Sequence, residues 1–157
     1  MQLTPHFSLV ELTRSSKAEQ LGIENTPNDV ETAELKLTAE LLERIRKALG
    51  NHPVTVTSGF RNRQLNKAVG GASTSDHALG KAADILIPKA GAPYDVCKRL
   101  APLVDVLGIG QLIYETNGNT EWIHIGRTIP QSKVNRVISI HVNAKTGKRT
   151  LAGIQPK

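Results

Sequence analysis

The order of patterns along this chain predicts an α+β fold: a compact single domain, residues 1–157, in which N-terminal helices lead into a central, mostly antiparallel sheet. Three observations carry that prediction. Helical periodicity dominates a lead-in over residues 1–50, and strand-like alternation dominates a core over residues 53–143. Only one further helical pattern, residues 93–106, interrupts the strands. At 157 residues the chain is long enough to bury one core without staples, and it shows neither an internal repeat nor a low-complexity segment.

Each element has its own signal. Ser8-Leu9-Val10-Glu11 is a capping-box pattern, and with Leu12, Ala18 and Leu21 before Gly22 it predicts two short helical turns. From Asp29 to Leu49, Leu37, Leu41, Ile45, Ala48 and Leu49 fall on one helical face, with Gly50 as the stop. Pro53-Val54-Thr55-Val56-Thr57 alternates as a strand, Ser58 to Arg61 turns out of it, and residues 62–69 read as a short helix. A small-residue loop, Gly70 to Ser75, leads to a second strand over 82–88, in which Asp84 faces away from Ala83 and Ile85. Three more strands are expected at 110–116, 121–126 and 136–143. Asn117-Gly118-Asn119 joins the first two as a hairpin, and Ala144 to Gly147 allows a terminal one.

Composition excludes several classes. With 39% apolar and 22% charged residues the chain reads as soluble and globular. A single cysteine, Cys97, permits no intrachain disulfide and no Cys-rich zinc knuckle, and its helical setting favours buried packing. The first residues lack the basic-then-apolar order of a secretory signal, and no apolar run approaches the roughly 20 residues of a membrane span. Synthesis in the cytoplasm without membrane insertion is expected, and any action outside requires an exit route other than a signal peptide of its own. The net charge of +6 favours an anionic partner. Nucleic acid is disfavoured as that partner, because aromatics are 3% of the chain, the cations are scattered and no DNA-binding spacing occurs.

The chemistry concentrates in Ser75-x-His77-x-x-Gly80-x-Ala82-x-Asp84 and in Glu121-Trp122-Ile123-His124. His77, Asp84 and His124 are three suitable zinc ligands, and three protein ligands leave a fourth position for water, as in a catalytic site. Glu121 is then the expected base. The residues also admit plainer readings. Asp84 sits among Ala83 and Ile85-Leu86-Ile87, where a carboxylate needs a partner, which a Lys or Arg could supply. His124 could be a hydrogen-bonded core histidine, Arg61 a surface cation, and Ser75 a turn cap. Glu121 and His124 differ by an odd number of positions, so one strand would point them to opposite faces unless a bulge or turn intervened. His6, His52 and His141 have no assignable partners and are read as surface or packing residues.

Together with Ser58-Gly59-Phe60-Arg61, these motifs resemble the zinc peptidases that include D-Ala-D-Ala carboxypeptidases, D-Ala-D-Ala dipeptidases and phage L-Ala-D-Glu endolysins. The motifs span residues 58–124, and the segments Leu65 to Gly71 and Phe7 to Leu12 are similar to the phage and bacterial subgroup. The resemblance implies one zinc ion held by His77, Asp84 and His124, Glu121 as general base, Arg61 stabilising the oxyanion, and Ser75 contacting substrate. It also implies a peptidoglycan substrate and a phage or prophage endolysin released through a separate pore protein; a monomer is the default for a small enzyme with a large substrate. A catalytically silent wall-binding or virion domain of the same fold is the alternative, and loss of a ligand or of Glu121, its usual sign, is not seen. Pocket shape would decide between terminal D-Ala, cross-link and L-Ala-D-Glu cleavage, with the loops 88–93 and 115–120 expected to line that pocket.

Overall fold

A computed structural model describes residues 1–157. The chain opens with a small antiparallel pair, β1 (Gln2–Thr4) and β2 (Phe7–Ser8), followed by two short helices, α1 (Leu9–Thr13) and α2 (Ser16–Leu21). Both helices start where a serine hydroxyl accepts a backbone N–H, and Ser8 with Glu11 completes the expected capping box. The pair β1–β2 has no counterpart in the sequence reading, since strands of two and three residues are too short to show a period.

The long helix α3 (Asp29–Ala48) is capped reciprocally by Asn28 and Glu31. It buries Leu35, Thr38, Ala39, Leu41, Leu42 and Ile45, a stripe centred about a third of a turn from exposed Leu37. After it come β3 (Thr55–Ser58), α4 (Arg63–Ala68), a 3-10 turn at Asp76–Leu79 and β4 (Ala82–Leu86). The helix expected over residues 93–106 is broken. It runs as α5 (Pro93–Leu100), passes through a 3-10 turn at Ala101–Leu103, and resumes as α6 (Val104–Leu107). Pro102 lies in that turn, where it lacks the N–H a continuous helix needs. Then follow β5 (Gln111–Asn117), β6 (Thr120–Gly126), β7 (Val137–Asn143) and β8 (Gly147–Ala152), the last two forming the terminal hairpin.

Six strands make one sheet in the order β3-β4-β6-β5-β7-β8. Every pair is antiparallel except β5–β7. Strand parity divides its two faces. Val56, Ala83, Ile85, Leu112, Tyr114, Ile123 and Ile125 join the side chains of α3 and α5 in one core of 23 buried residues. Asp84, His124 and their cross-strand neighbours occupy the other face, which carries the polar cavity described next. No helix is long and apolar enough to cross a membrane.

Candidate functional site

The site is set by register. Asp84 on β4 lies directly opposite His124 on β6, so both side chains leave the sheet on its uncovered face. The third group, His77, comes from the 3-10 turn that precedes β4. Its Nε2 lies 3.3 Å from Asp84 Oδ1, and His124 Nδ1 lies 3.0 Å from the same oxygen. One ligand atom from each residue falls within 4.8 Å of the others. A tetrahedral zinc with bonds of about 2.0–2.1 Å needs ligand atoms about 3.3 Å apart, so small side-chain adjustments bring the trio to that geometry. His77 is buried, and the side chains of Asp84 and His124 are 13% and 12% exposed, leaving access from one side.

Neighbouring groups fix the ligands. His77 Nδ1 donates to the carbonyl of Gly59 at 2.7 Å, which sets the tautomer and leaves Nε2 free to bind a metal. That carbonyl is placed by a bulge in β3, where the register slips between Val56 and Ser58, and by close contact with α1. A Cβ on Gly59 would stand 2.3 Å from the Leu12 carbonyl oxygen, so only glycine lets the chain pass there. Asp76 accepts from both the backbone N–H and the hydroxyl of Thr128, tying the chain after β6 to the 3-10 turn.

The metal-free electrostatics agree with a ligand set. Burial pushes the Asp84 carboxyl up, but the His77 charge and hydrogen bonds from both imidazoles outweigh it, leaving it well below the usual carboxylate range. For His124, burial opposes the imidazolium, while the hydrogen bond and charge of Asp84, with Glu115 and Asp76 behind, prevail and raise its pKa.

A cavity of about 610 Å³ opens over the trio. Arg61, Ser75, Glu115 and Trp122 are among its walls, with Ile113 beneath them on β5. The backbone N–H of Arg61 is bonded to the His77 carbonyl, and its side-chain Nε–H is enclosed without a protein acceptor. Burial lowers the Arg61 pKa, against the opposing charges of Asp84 and Glu115. The Ser75 hydroxyl accepts from the His77 N–H, so it does cap the turn, and it also faces the cavity. The expected lining is only partly met. Loop 71–77 and residues 128–130 form the walls, the 115–120 loop contributes Glu115, and the 88–93 loop borders a separate hollow.

Glu121 is not in this cavity. Strands β5 and β6 pair without a bulge, Glu121 opposite Thr116 and Trp122 opposite Glu115, so the odd step to His124 sends Glu121 to the other face. There it accepts a hydrogen bond from the Tyr114 hydroxyl, whose pKa is raised by burial and by that bond. The carboxylate on the metal face is Glu115, which sequence reasoning missed. Trp122 Nε1–H donates to its Oε2 at 2.9 Å. Burial and then the Asp84 charge raise the Glu115 pKa, against the pull of His124, Trp122 and His77. The signal was present: closing the Asn-Gly hairpin gives Glu115 the same facing as His124.

Comparison with known sequences bears on this same region. The family model described as Peptidase M15 matches residues 5–126. The chain belongs to the peptidase M15 family. A 44-residue stretch is 50% identical to the zinc D-Ala-D-Ala carboxypeptidase of Streptomyces albus G, covering 28% of this chain and 17% of that protein. The M15 match ends at Gly126, two residues beyond His124, and so contains all three residues of the trio. Zinc suits the trio chemically, since two imidazoles, a carboxylate and an accessible side form an open nitrogen–oxygen site.

Proposed function

We propose that this M15 chain is a zinc-dependent peptidase that hydrolyses a peptide bond in the stem or cross-link peptides of peptidoglycan. The observation that carries the proposal is the convergence of His77 Nε2 and His124 Nδ1 on Asp84 Oδ1, beneath a cavity that also holds Glu115 and Arg61. Zinc would be held by His77, Asp84 and His124 and would supply Lewis acidity, which lowers the pKa of a bound water from 15.7 to about 7.

The chain's own residues divide the remaining work. Glu115, with its raised pKa and its carboxylate steadied by Trp122, takes a proton from the attacking water as oxygen bonds to the peptide carbonyl carbon. It returns that proton to the leaving amine as the C–N bond breaks. Arg61, in the cavity wall, offers its guanidinium to the carbonyl oxygen as negative charge develops there. Ser75 is placed to hold the substrate backbone from the loop side. In this scheme Glu121 is a packing residue of the opposite face.

The finer role we assign is that of a phage or prophage endolysin, supported by the net charge of +6, which suits an anionic sacculus. The test is incubation of zinc-loaded protein with purified peptidoglycan, with and without chelator, and mass spectrometry of the fragments. Chelator-sensitive release of wall peptides is expected, and their masses name the bond. A folded, zinc-loaded protein that releases none contradicts the peptidase reading.

A further inference from the structure

A second cavity, about 640 Å³, lies against the first. Loop 70–79 is the ridge between them. Ala72, Thr74 and His77 face the catalytic side, Ser73, Ala78 and Leu79 face the second cavity, and Gly71 borders both. At Gly71, which carries no side chain, the two cavities share one wall. A Cβ on Gly71 would stand 2.1 Å from Asn66 Oδ1, so a larger residue there has to displace the Asn66 side chain.

The charged groups lining the second cavity are Glu31, Arg63 and Lys67. Glu31 is committed to the α3 cap, where it accepts the Asn28 N–H. Arg63 and Lys67, one turn apart on α4, enter no ion pair, and both are exposed. Between them Asn66 is 4% exposed, and its Oδ1 is enclosed with no donor. Such a wall offers two unused cations to an anion. A peptide strand that carries carboxylates has the complement. A substrate confined to the catalytic cavity would use neither.

We propose that this second cavity is a subsite for a carboxylate-bearing portion of the wall peptide remote from the scissile bond, with Arg63 and Lys67 as its recognition residues. The proposal rests on the murein peptidase reading. The substrate strand crosses the ridge at Gly71, so that its reacting carbonyl lies over the metal trio while a distant carboxylate sits between the two cations. The subsite adds binding and discriminates long, cross-linked substrates from short ones without touching the reacting atoms.

Titration calorimetry in the zinc-loaded Glu115→Gln background tests this directly. The probe is a cross-linked dimer of tetrapeptide muropeptides, with its carboxylates free or amidated. Arg63→Ala/Lys67→Ala is expected to bind the free-carboxylate dimer roughly fivefold more weakly, the scale of two exposed charge contacts. Amidation should weaken binding to the parent by a similar factor and leave the double variant unchanged. A blocked tripeptide ending in D-Ala-D-Ala, too short to cross the ridge, should bind parent and variant alike. Equal affinity of parent and variant for the dimer, an equal loss with the tripeptide, or no binding of the dimer by the parent would overturn the proposal. Calorimetry needs no turnover, so a failure to cleave wall peptides counts against the peptidase reading and leaves this result interpretable.

Discussion

His124 carries the most consequential single proton in the metal-free site. Its pKa is raised because Asp84, Glu115 and Asp76 outweigh the cost of burial. A protonated imidazole cannot bind a metal, so zinc must displace that proton. Affinity is therefore highest above the raised pKa and falls as pH drops through it, by about tenfold per pH unit for one competing proton. The metal-free fold has the opposite dependence. A raised folded pKa contributes stability that is full below the unfolded value and lost as pH rises through the folded one. Competition with a fluorescent chelator between pH 5 and pH 8 should show zinc dissociation constants rising on the acid side. A flat profile would mean that no ligand proton is displaced.

The same scale shows what the amino-acid sequence discloses. His77, Asp84 and His124 are legible because each is a polar group in an otherwise small or apolar context that needs a partner. Glu121 has the motif spacing to His124, whereas the face it occupies is set by strand parity. Glu115 is harder to see, as its relation to His124 runs through a neighbouring strand and becomes visible only once the hairpin register is known. Asp76 is similar: its partner, Thr128, is 52 positions away.

Among the elements, α3 was the easiest to foresee, since 20 residues give its period room to repeat and Asn28 with Glu31 marks its start. Removing that cap with Asn28→Ala should cost about 1 kcal/mol. Urea unfolding reads it as a lower midpoint with an unchanged slope, and cleavage should be unaffected because Asn28 lines neither cavity. An unchanged midpoint would show that the cap contributes nothing to the fold. The break at Pro102 and the pair β1–β2 escaped notice for opposite reasons. The apolar pattern over residues 93–106 continues across the proline and hides the interruption. In β1 and β2 there is too little pattern to read.

At the scale of the whole molecule, one sheet separates two tasks. Its helix-covered face holds the 23-residue core, and its open face carries the His77–Asp84–His124 trio, so the core is built without the metal site. Zinc at about 100 times its dissociation constant should add about 2.7 kcal/mol to stability. For a chain of this length that raises the melting temperature by roughly 5–10 °C. Thermal melts with and without chelator should show this difference while the far-ultraviolet circular dichroism at 25 °C stays the same. Loss of secondary structure on chelation would contradict a core that stands without the ion. The fold class was readable because helical and strand periods occupy separate parts of the chain. The strand order β3-β4-β6-β5-β7-β8 was not, because pairing is decided by packing between distant segments.

The central claim is that the carboxylate working with the metal is Glu115, on the open face, and not Glu121 behind it. The direct test is the rate at which zinc-loaded Glu115→Gln and Glu121→Gln proteins cleave the same muropeptide, with bound zinc measured in each. Glu115→Gln should retain zinc and lose activity by about 10²- to 10⁴-fold, the usual contribution of a general acid–base group, while Glu121→Gln stays within a few-fold of the parent. Full activity in Glu115→Gln, or the larger loss in Glu121→Gln, would contradict the account.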